Sequence, residues 1–202
     1  MAGEEPSIRV LTSTATEQTI HNLKLTGWLP AEAKWRCAQG ESYPTPRPNE
    51  VVVFTPFFFR GFGLPICAFF YKLLSFYGLE IHHLNPNSII HISLFIHLCE
   101  AFIGVAPHLG LFRHLFLIKP QPSKMKINLF GGAGVQLHSA KGYLPMSLRS
   151  SNKGWHNLWF YLESDDPLCP RFSGRAPAPI DEWSSPPEEG DLGVIELWMV
   201  QL

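Results

Sequence analysis

The apolar positions of the chain concentrate between residues 51 and 117, where glycine and proline divide them into short elements. The run Glu50–Phe54 is rich in β-branched residues, which predicts a β-strand. Over residues 65–77, apolar side chains recur three and four positions apart, and Gly78 follows. This spacing predicts an amphipathic helix that turns one face toward a core and ends at the glycine.

A second, longer helix is predicted from Pro86 to about residue 103. Asn85 is a typical N-cap, proline suits the first helical position, and Gly104 is a typical stop. This helix is apolar on nearly every side, which favours burial. Three of its polar side chains fall in one narrow polar stripe, while His91 projects from the opposite side. The stripe is the candidate interface of the chain, and its residues are Ser93, His97 and Glu100.

Weaker signals lie on both sides of these helices. A capping box at residues 14–17 predicts a short N-terminal helix, and the proline-rich stretch 31–49 predicts an extended connector. A third helix over 107–116 is followed by a polar linker. Two strands are then predicted around a glycine turn at 131–134, and an aromatic strand over 155–162.

These elements predict an α+β fold with central helices and a small flanking sheet. The predicted domain covers residues 50–163 and follows an N-terminal helix and connector over 1–49. Residues 164–202 are acidic and rich in proline, a composition typical of a disordered tail. A last apolar run, Val194–Val200, has the pattern of one more strand.

Charge is sparse and unevenly distributed. The 202 residues are 16% charged, against about 25% in an average soluble domain. No acidic residue lies between Glu100 and Glu163, and basic side chains among aromatic ones can bind a polyanion through phosphate contacts and base stacking. A solvated surface balanced by the acidic tail is the simpler interpretation. The candidate nucleic-acid contacts in this interval are Arg113, Lys119, Lys124, Lys126, Lys141, Arg149 and Lys153.

The distribution of aspartate argues against metal-dependent nucleic-acid chemistry. Nucleases, integrases and polymerases hold two divalent metals with two or three carboxylates, and all four aspartates of this chain lie in the acidic tail. The Asp-Thr-Gly and Asp-Ser-Gly motifs of aspartic proteases are absent from the sequence, and no nucleophile stands at a recognisable spacing from a base. We therefore predict no catalytic residues, no enzymatic activity and no small-molecule substrate.

Histidines, cysteines and glycines give no recognisable metal or cofactor motif. Four histidines lie within sixteen residues, but no His-Glu-x-x-His motif is present, and zinc needs about four converging ligands. The four cysteines have no Cys-x-x-Cys spacing. The glycines at 131–134 are not followed by Gly-Lys-Ser/Thr, so a turn is the favoured interpretation. We predict no metal and no cofactor. The four histidines are His82, His83, His91 and His97.

The long apolar helix also raises the question of a membrane span. The stretch from Ser88 to Ala106 is nearly long enough to cross a bilayer, but its histidines and its carboxylate are costly in hydrocarbon. A core helix is therefore favoured, and membrane association is not expected. Scattered cysteines and a first segment without a charged and then apolar region predict an intracellular protein with reduced thiols, in the nucleus or the cytoplasm.

Several short motifs, in order along the chain, resemble one known family. They are Glu50–Phe54, Gly61–Pro65, His83–Ile89, Leu98–Gly104 with Pro107, Gly131–Gly134 and Gly154–Tyr161. Over residues 50–163 the chain resembles the gypsy-type transposon domain of plant genomes. That family is found in the gag-like part of retroelement polyproteins and in genes derived from them.

The resemblance implies a non-enzymatic, gag-like structural or interaction module, since the family has no established activity. We expect this module to self-associate. The alternative is a nucleic-acid-binding protein that uses the basic interval 101–162. The end of the chain departs from the family pattern. Where members continue into long polar, coiled-coil-like segments, this chain has a short acidic tail, so we expect a fragment of such an element.

Overall fold

The computed structural model describes residues 11–123, 126–138, 153–166 and 169–187, together with Gly190 and Gly193. Five α-helices, a π-helix and two short 3-10 helices occur among these residues. The helices are α1 (Glu17–Leu25), α2 (Thr55–Phe58), α3 (Ala68–Phe76), α4 (Pro86–His97), the π-helix (Leu98–Ile103), α5 (Leu109–Leu115), and the 3-10 turns Ile81–His83 and Asp181–Trp183. The strands are β1 (Trp35–Arg36), β2 (Glu50–Phe54), β3 (Phe116–Pro120), β4 (Ala133–Leu137) and β5 (Trp159–Glu163).

The strands form two small antiparallel sheets. The first has the order β1-β5-β2, with β5 in the centre, so that Val52 lies opposite Tyr161. The second pairs β3 with β4, with Ile118 opposite Val135. This arrangement confirms the predicted α+β class, with helices between strands that are distant in sequence.

The core is dominated by aromatic rings. Phe54, at the end of β2, packs against Phe57, Phe130 and Trp155 with ring centroids 5.1, 5.0 and 4.8 Å away. Gly131 lies against this group with φ at +71°, and a Cβ there would come within 2.6 Å of Trp155. Glycine is required at this position, because any side chain would meet a buried indole.

The helical run formed by α4 and the π-helix begins and ends as predicted. The Asn85 side chain accepts a hydrogen bond from the backbone N–H of Ser88 at 2.8 Å, and Pro86 occupies the first helical position. Gly104 stops the helical run with φ at +71°. The structure differs from the prediction in the last six residues, Leu98–Ile103, which are π-helical.

Three predicted helix starts are displaced. Helix α1 is capped by Thr16, which accepts from the N–H of Thr19 at 3.1 Å, and the capping box at 14–17 is wrong. Thr14 instead donates its N–H to the carbonyl of Asn157 at 2.7 Å, which attaches the N-terminal segment near β5. The other two helices, α3 and α5, begin two or three residues later than predicted, at Ala68 and Leu109.

The strand predictions after residue 116 are partly wrong. Strand β4 begins inside the glycine run and pairs with β3, which occupies residues predicted as a helix end and a linker. In the aromatic stretch, residues 155–158 form a turn closed by the bond from the N–H of Leu158 to the carbonyl of Trp155, and β5 begins only at Trp159. Both errors have the same cause: pairing partners distant in sequence decide where a strand begins.

Residues 169–187, which we call the C-terminal strap, lie against the core. Trp183 is 3% exposed, and its indole N–H donates to the carbonyl of Tyr77 at 3.0 Å. Cys169 is also buried. The expectation of disorder therefore does not extend to these residues, because the buried indole outweighs their polar composition. The run Val194–Val200 lies outside the described residues.

The hydrophobic core crosses both predicted domain limits. Ile20 and Leu23 of α1, and Cys169 and Trp183 of the strap, belong to the same cluster of buried residues as the central helices. The predicted domain limits at residues 50 and 163 therefore remain a prediction. The packing shows that the described residues on either side of them share one core.

Candidate functional site

The polar stripe of α4 and the π-helix lines an open cavity of about 270 Å³. The Ser93 hydroxyl donates to the carbonyl of Gly61 at 3.0 Å, which attaches the helix to the loop between α2 and α3. The structure thus brings the three predicted interface residues, Ser93, His97 and Glu100, to one surface. The apolar walls of the cavity include Phe62, Pro65, Ile66, Phe70 and Ile96.

The end of the same helical run is exposed, at His97 and at residues 100–102. Over residues 86–103, 39% of the stretch is buried and most of the remainder is half-buried. Phe102 is 72% exposed, and its ring meets the ring of His97 edge-on at 5.7 Å between centroids. By length and composition, this is the one run in the described part of the chain that is apolar enough to cross a membrane.

The inward face of α4 is held by a buried hydroxyl. Ser88 is fully buried, and its oxygen accepts the backbone N–H of Val135 in β4 at 2.9 Å. Ile89, Ile92 and Phe95 are buried beside it. Helix α4 therefore has one face fixed to the second sheet and another face open to solvent.

The basic interval does not form one exposed face among the described residues. Arg113 is 8% exposed; its guanidinium donates to the carbonyl of Pro186 at 2.5 Å and lies 5.1 Å from the ring centre of Phe76. Arg113 is therefore not available to a nucleic acid in this structure. Lys119, Lys126 and Lys153 are exposed. The other three candidates, Lys124, Lys141 and Arg149, lie outside the described residues.

The predicted separation of His91 and His97 agrees with their surroundings. The ring of His91 packs against Phe116 at 5.3 Å, and burial lowers its pKa. His97 is exposed on the other side of the helix. The structure instead gathers Glu80, His82 and His83, whose ligand atoms lie within 4.8 Å of one another. Sequence reasoning considered both histidines and missed Glu80, although a carboxylate two residues before a histidine pair was a visible signal.

The Glu80–His82–His83 cluster is bound to the strap. His83 Nδ1 accepts the backbone N–H of Glu80 at 3.0 Å, and its Nε2 lies 2.9 Å from the carbonyl of Arg175. The backbone N–H of Ser173 donates to Glu80 Oε2 at 2.8 Å. Burial lowers the pKa of His83 to about 4 and that of His82 well below its usual value, so both imidazoles are neutral at pH 7.

A second buried polar cluster joins the N-terminal connector to the first sheet. The Arg36 guanidinium donates to both carboxylate oxygens of buried Glu50, at 2.9 and 2.7 Å, and lies 3.7 Å from the ring centre of Tyr161. The N–H of Arg47 donates to the same carboxylate at 2.8 Å. Burial acts to raise the pKa of Glu50, but the hydrogen bonds from Arg36 and Arg47 leave it below its usual value. This satisfied network fixes the connector, and nothing in it is arranged for chemistry.

Comparison with known proteins gives one match. A family model described as "Putative gypsy type transposon" matches residues 51–120. No curated protein and no solved structure matches the chain. The matched residues cover nearly all of β2, the four helices α2 to α5, the π-helix and strand β3, and the resemblance found in the sequence is confirmed. Over these residues, the chain is similar to the gypsy-type transposon domain family.

Proposed function

We propose that this chain is a non-enzymatic, gag-like structural and interaction module of a plant gypsy-type retroelement, and that it self-associates inside the cell. The observation that carries the proposal is the open face of α4 and the π-helix. There, an exposed phenyl ring lies on the same helical run as an apolar cavity. Exposed apolar surface of this kind marks interaction sites in soluble proteins.

The two features of this face are complementary to each other. Phe102 projects from the π-helix with 72% of its surface exposed, and its ring meets that of His97, which lines the cavity. The cavity is walled mainly by apolar side chains. In a two-fold dimer the same patch is used by both copies, so a knob and a hole on one patch can fill each other. The polar stripe at the cavity edge supplies a hydroxyl, an imidazole and a carboxylate for hydrogen bonds around the apolar contact.

Size exclusion with light scattering over a range of protein concentrations tests this proposal. The wild-type chain is expected to exceed the 22.8 kDa of a monomer as concentration rises, whereas Phe102→Ser remains at the monomer mass. Leu25→Ser is the matched control, since Leu25 is 71% exposed on α1. A wild-type chain that stays monomeric throughout, or equal loss of association in both variants, contradicts the proposal.

Nucleic-acid binding through the basic interval is the second candidate. The exposure of Lys119 and Lys126 supports it. The burial of Arg113 counts against it. Titration with single-stranded RNA at two salt concentrations decides, because phosphate contacts make affinity fall with salt. Salt-sensitive binding that weakens in a Lys119→Gln, Lys126→Gln double variant favours this candidate, and its absence at low salt removes it.

A further inference from the structure

We propose that Glu80, His82 and His83 form a binding site for one divalent transition-metal ion of the zinc type. The site is independent of the self-association proposed above. It offers two imidazole nitrogens and one carboxylate oxygen, all within 4.8 Å of one another. Zinc binds such atoms at about 2.0–2.2 Å, which places tetrahedral ligand atoms roughly 3.3–3.5 Å apart. The most distant pair of ligand atoms would therefore approach by up to about 1.5 Å when the ion binds.

The local backbone explains why these three side chains converge. Residues 81–83 form a single 3-10 turn, and Glu80 is its N-cap residue. The turn brings the carboxylate and the two rings together: His82 Nδ1 is 3.4 Å from Glu80 Oε2, and the two ring centroids are 4.2 Å apart. A turn of this kind is stiffer than three ligands collected from a flexible loop, which favours a defined site.

One ring nitrogen of His82 is left without a hydrogen bond, and this Nε2 is the atom we assign to the ion, while Nδ1 faces the Glu80 carboxylate. His82 is 2% exposed, and its Nε2 has no hydrogen-bond partner among the described residues. Buried polar atoms are nearly always bonded, and an exception calls for a specific explanation. A neutral imidazole is the form that coordinates a metal.

The strap supplies the outer contacts that a metal site requires. Metal-bound histidines usually donate their second ring N–H to a carbonyl or carboxylate, which fixes the tautomer. His83 has this arrangement: Nε2 faces the Arg175 carbonyl at 2.9 Å, which leaves the lone pair on Nδ1. Nδ1 now accepts the backbone N–H of Glu80, and the ion would replace that bond. The N–H of Ser173 orients the carboxylate. Three protein ligands then leave a fourth position for water.

Titration of the metal-free full chain tests the site, with Zn²⁺ followed by calorimetry and Co²⁺ by its visible absorption. We expect one equivalent of each ion, with the intense bands of tetrahedral Co²⁺. Glu80→Gln and His82→Gln should each weaken zinc binding at least about tenfold. His97→Gln is the matched control, because it removes an exposed histidine of the same chain. No stoichiometric binding, or equal weakening in the control, overturns the proposal.

Two further readouts keep the test decisive. If His82→Gln fails to fold by circular dichroism, Glu80→Gln decides, because the amide keeps the size of the carboxylate and still accepts the Ser173 N–H. Trypsin cleavage after Arg171 and Arg175, both exposed on the strap, should slow at least about tenfold when zinc fills the site beneath. Cleavage unchanged by bound zinc places the ion elsewhere and overturns the assignment.

Discussion

The first sheet (the sheet side) and the outer face of α4 and the π-helix (the helix side) differ in whether their side chains find partners within the chain. At the first sheet, a buried carboxylate is bonded by Arg36 and by the backbone of Arg47, and the connector covers it. On the outer face of α4 and the π-helix, a phenyl ring is exposed beside an apolar cavity. The difference teaches that the carboxylate at the sheet side is satisfied within one chain, whereas the helix side exposes apolar surface that the proposed self-association would cover.

Breaking the sheet-side network is expected to have the largest effect on stability. Arg36→Met removes the close, bidentate charged partner of the Glu50 carboxylate, which is 2% exposed, and leaves only the longer 3.9 Å pair with the largely exposed Arg47. The loss of such a partner costs about 3–5 kcal/mol. The free energy of unfolding in urea measures it. Lys34→Met is the control, since the Lys34–Glu163 pair is 75% exposed on the lysine side and such pairs contribute about 0–1 kcal/mol. An equal loss of unfolding free energy in the two variants would contradict the special role of the buried pair.

Acid should loosen the strap, which lies over neutral histidines. The folded-state pKa of His83 is about 4, below the unfolded value of about 6.5. The contribution of His83 to the free energy of unfolding is therefore complete above pH 6.5. It is lost as the pH falls toward 4, because in this range the unfolded state binds a proton and the folded state does not. His83 accounts for at most about 3 kcal/mol. Burial raises the pKa of Glu80, which opposes part of the loss.

Urea unfolding between pH 7 and pH 4 measures this slope. His83→Gln is expected to flatten it, since the amide does not titrate. A profile of the same steepness in the variant would show that other groups control the acid response.

Substitution on the inward face of α4 should cause an intermediate loss of stability. Ser88→Ala leaves the buried N–H of Val135 without its acceptor, and an unsatisfied buried donor costs about 1–3 kcal/mol. Thermal unfolding followed by circular dichroism measures the change. Self-association should persist at protein concentrations where the variant is folded, and its loss there would mean that the two faces of the helix are not independent.

The outward face of the same helix should give the smallest change in stability. Phe102→Ser removes a ring that is 72% exposed, and substitutions of exposed side chains usually change stability by less than about 0.5 kcal/mol. The urea midpoint of the dilute protein measures it. A loss comparable to that of Ser88→Ala would mean that Phe102 is a packing residue of the monomer, and the helix side would lose its distinction.

Local rules in the sequence predicted some parts of this fold and not others. The start of α4 followed from Asn85 and Pro86, and the end of the π-helix followed from Gly104, because caps act through neighbouring backbone groups. The beginnings of β4 and β5 were missed, since each depends on a partner strand at least a dozen residues away. The strap was missed for a related reason: its anchor, Trp183, bonds to Tyr77 across 106 positions of sequence.

The candidate sites also divide into those set by neighbouring residues and those set by partners distant in sequence. The polar stripe was predictable because residues three and four apart share one face of a helix. The burial of Arg113 was not, because its partner carbonyl belongs to Pro186. The Glu80–His82–His83 cluster is local in sequence but has none of the standard zinc-motif spacings, and only the 3-10 turn shows that its side chains converge.

Amide hydrogen exchange at low and high protein concentration tests the central claim most directly, because it locates any contact between copies. Peptides that cover residues 94–104 should gain protection as concentration rises, while those that cover β2 should remain unchanged. The gain should be absent in Phe102→Ser. Exchange over 94–104 that does not depend on concentration, or protection gained at the sheet instead, would contradict the account.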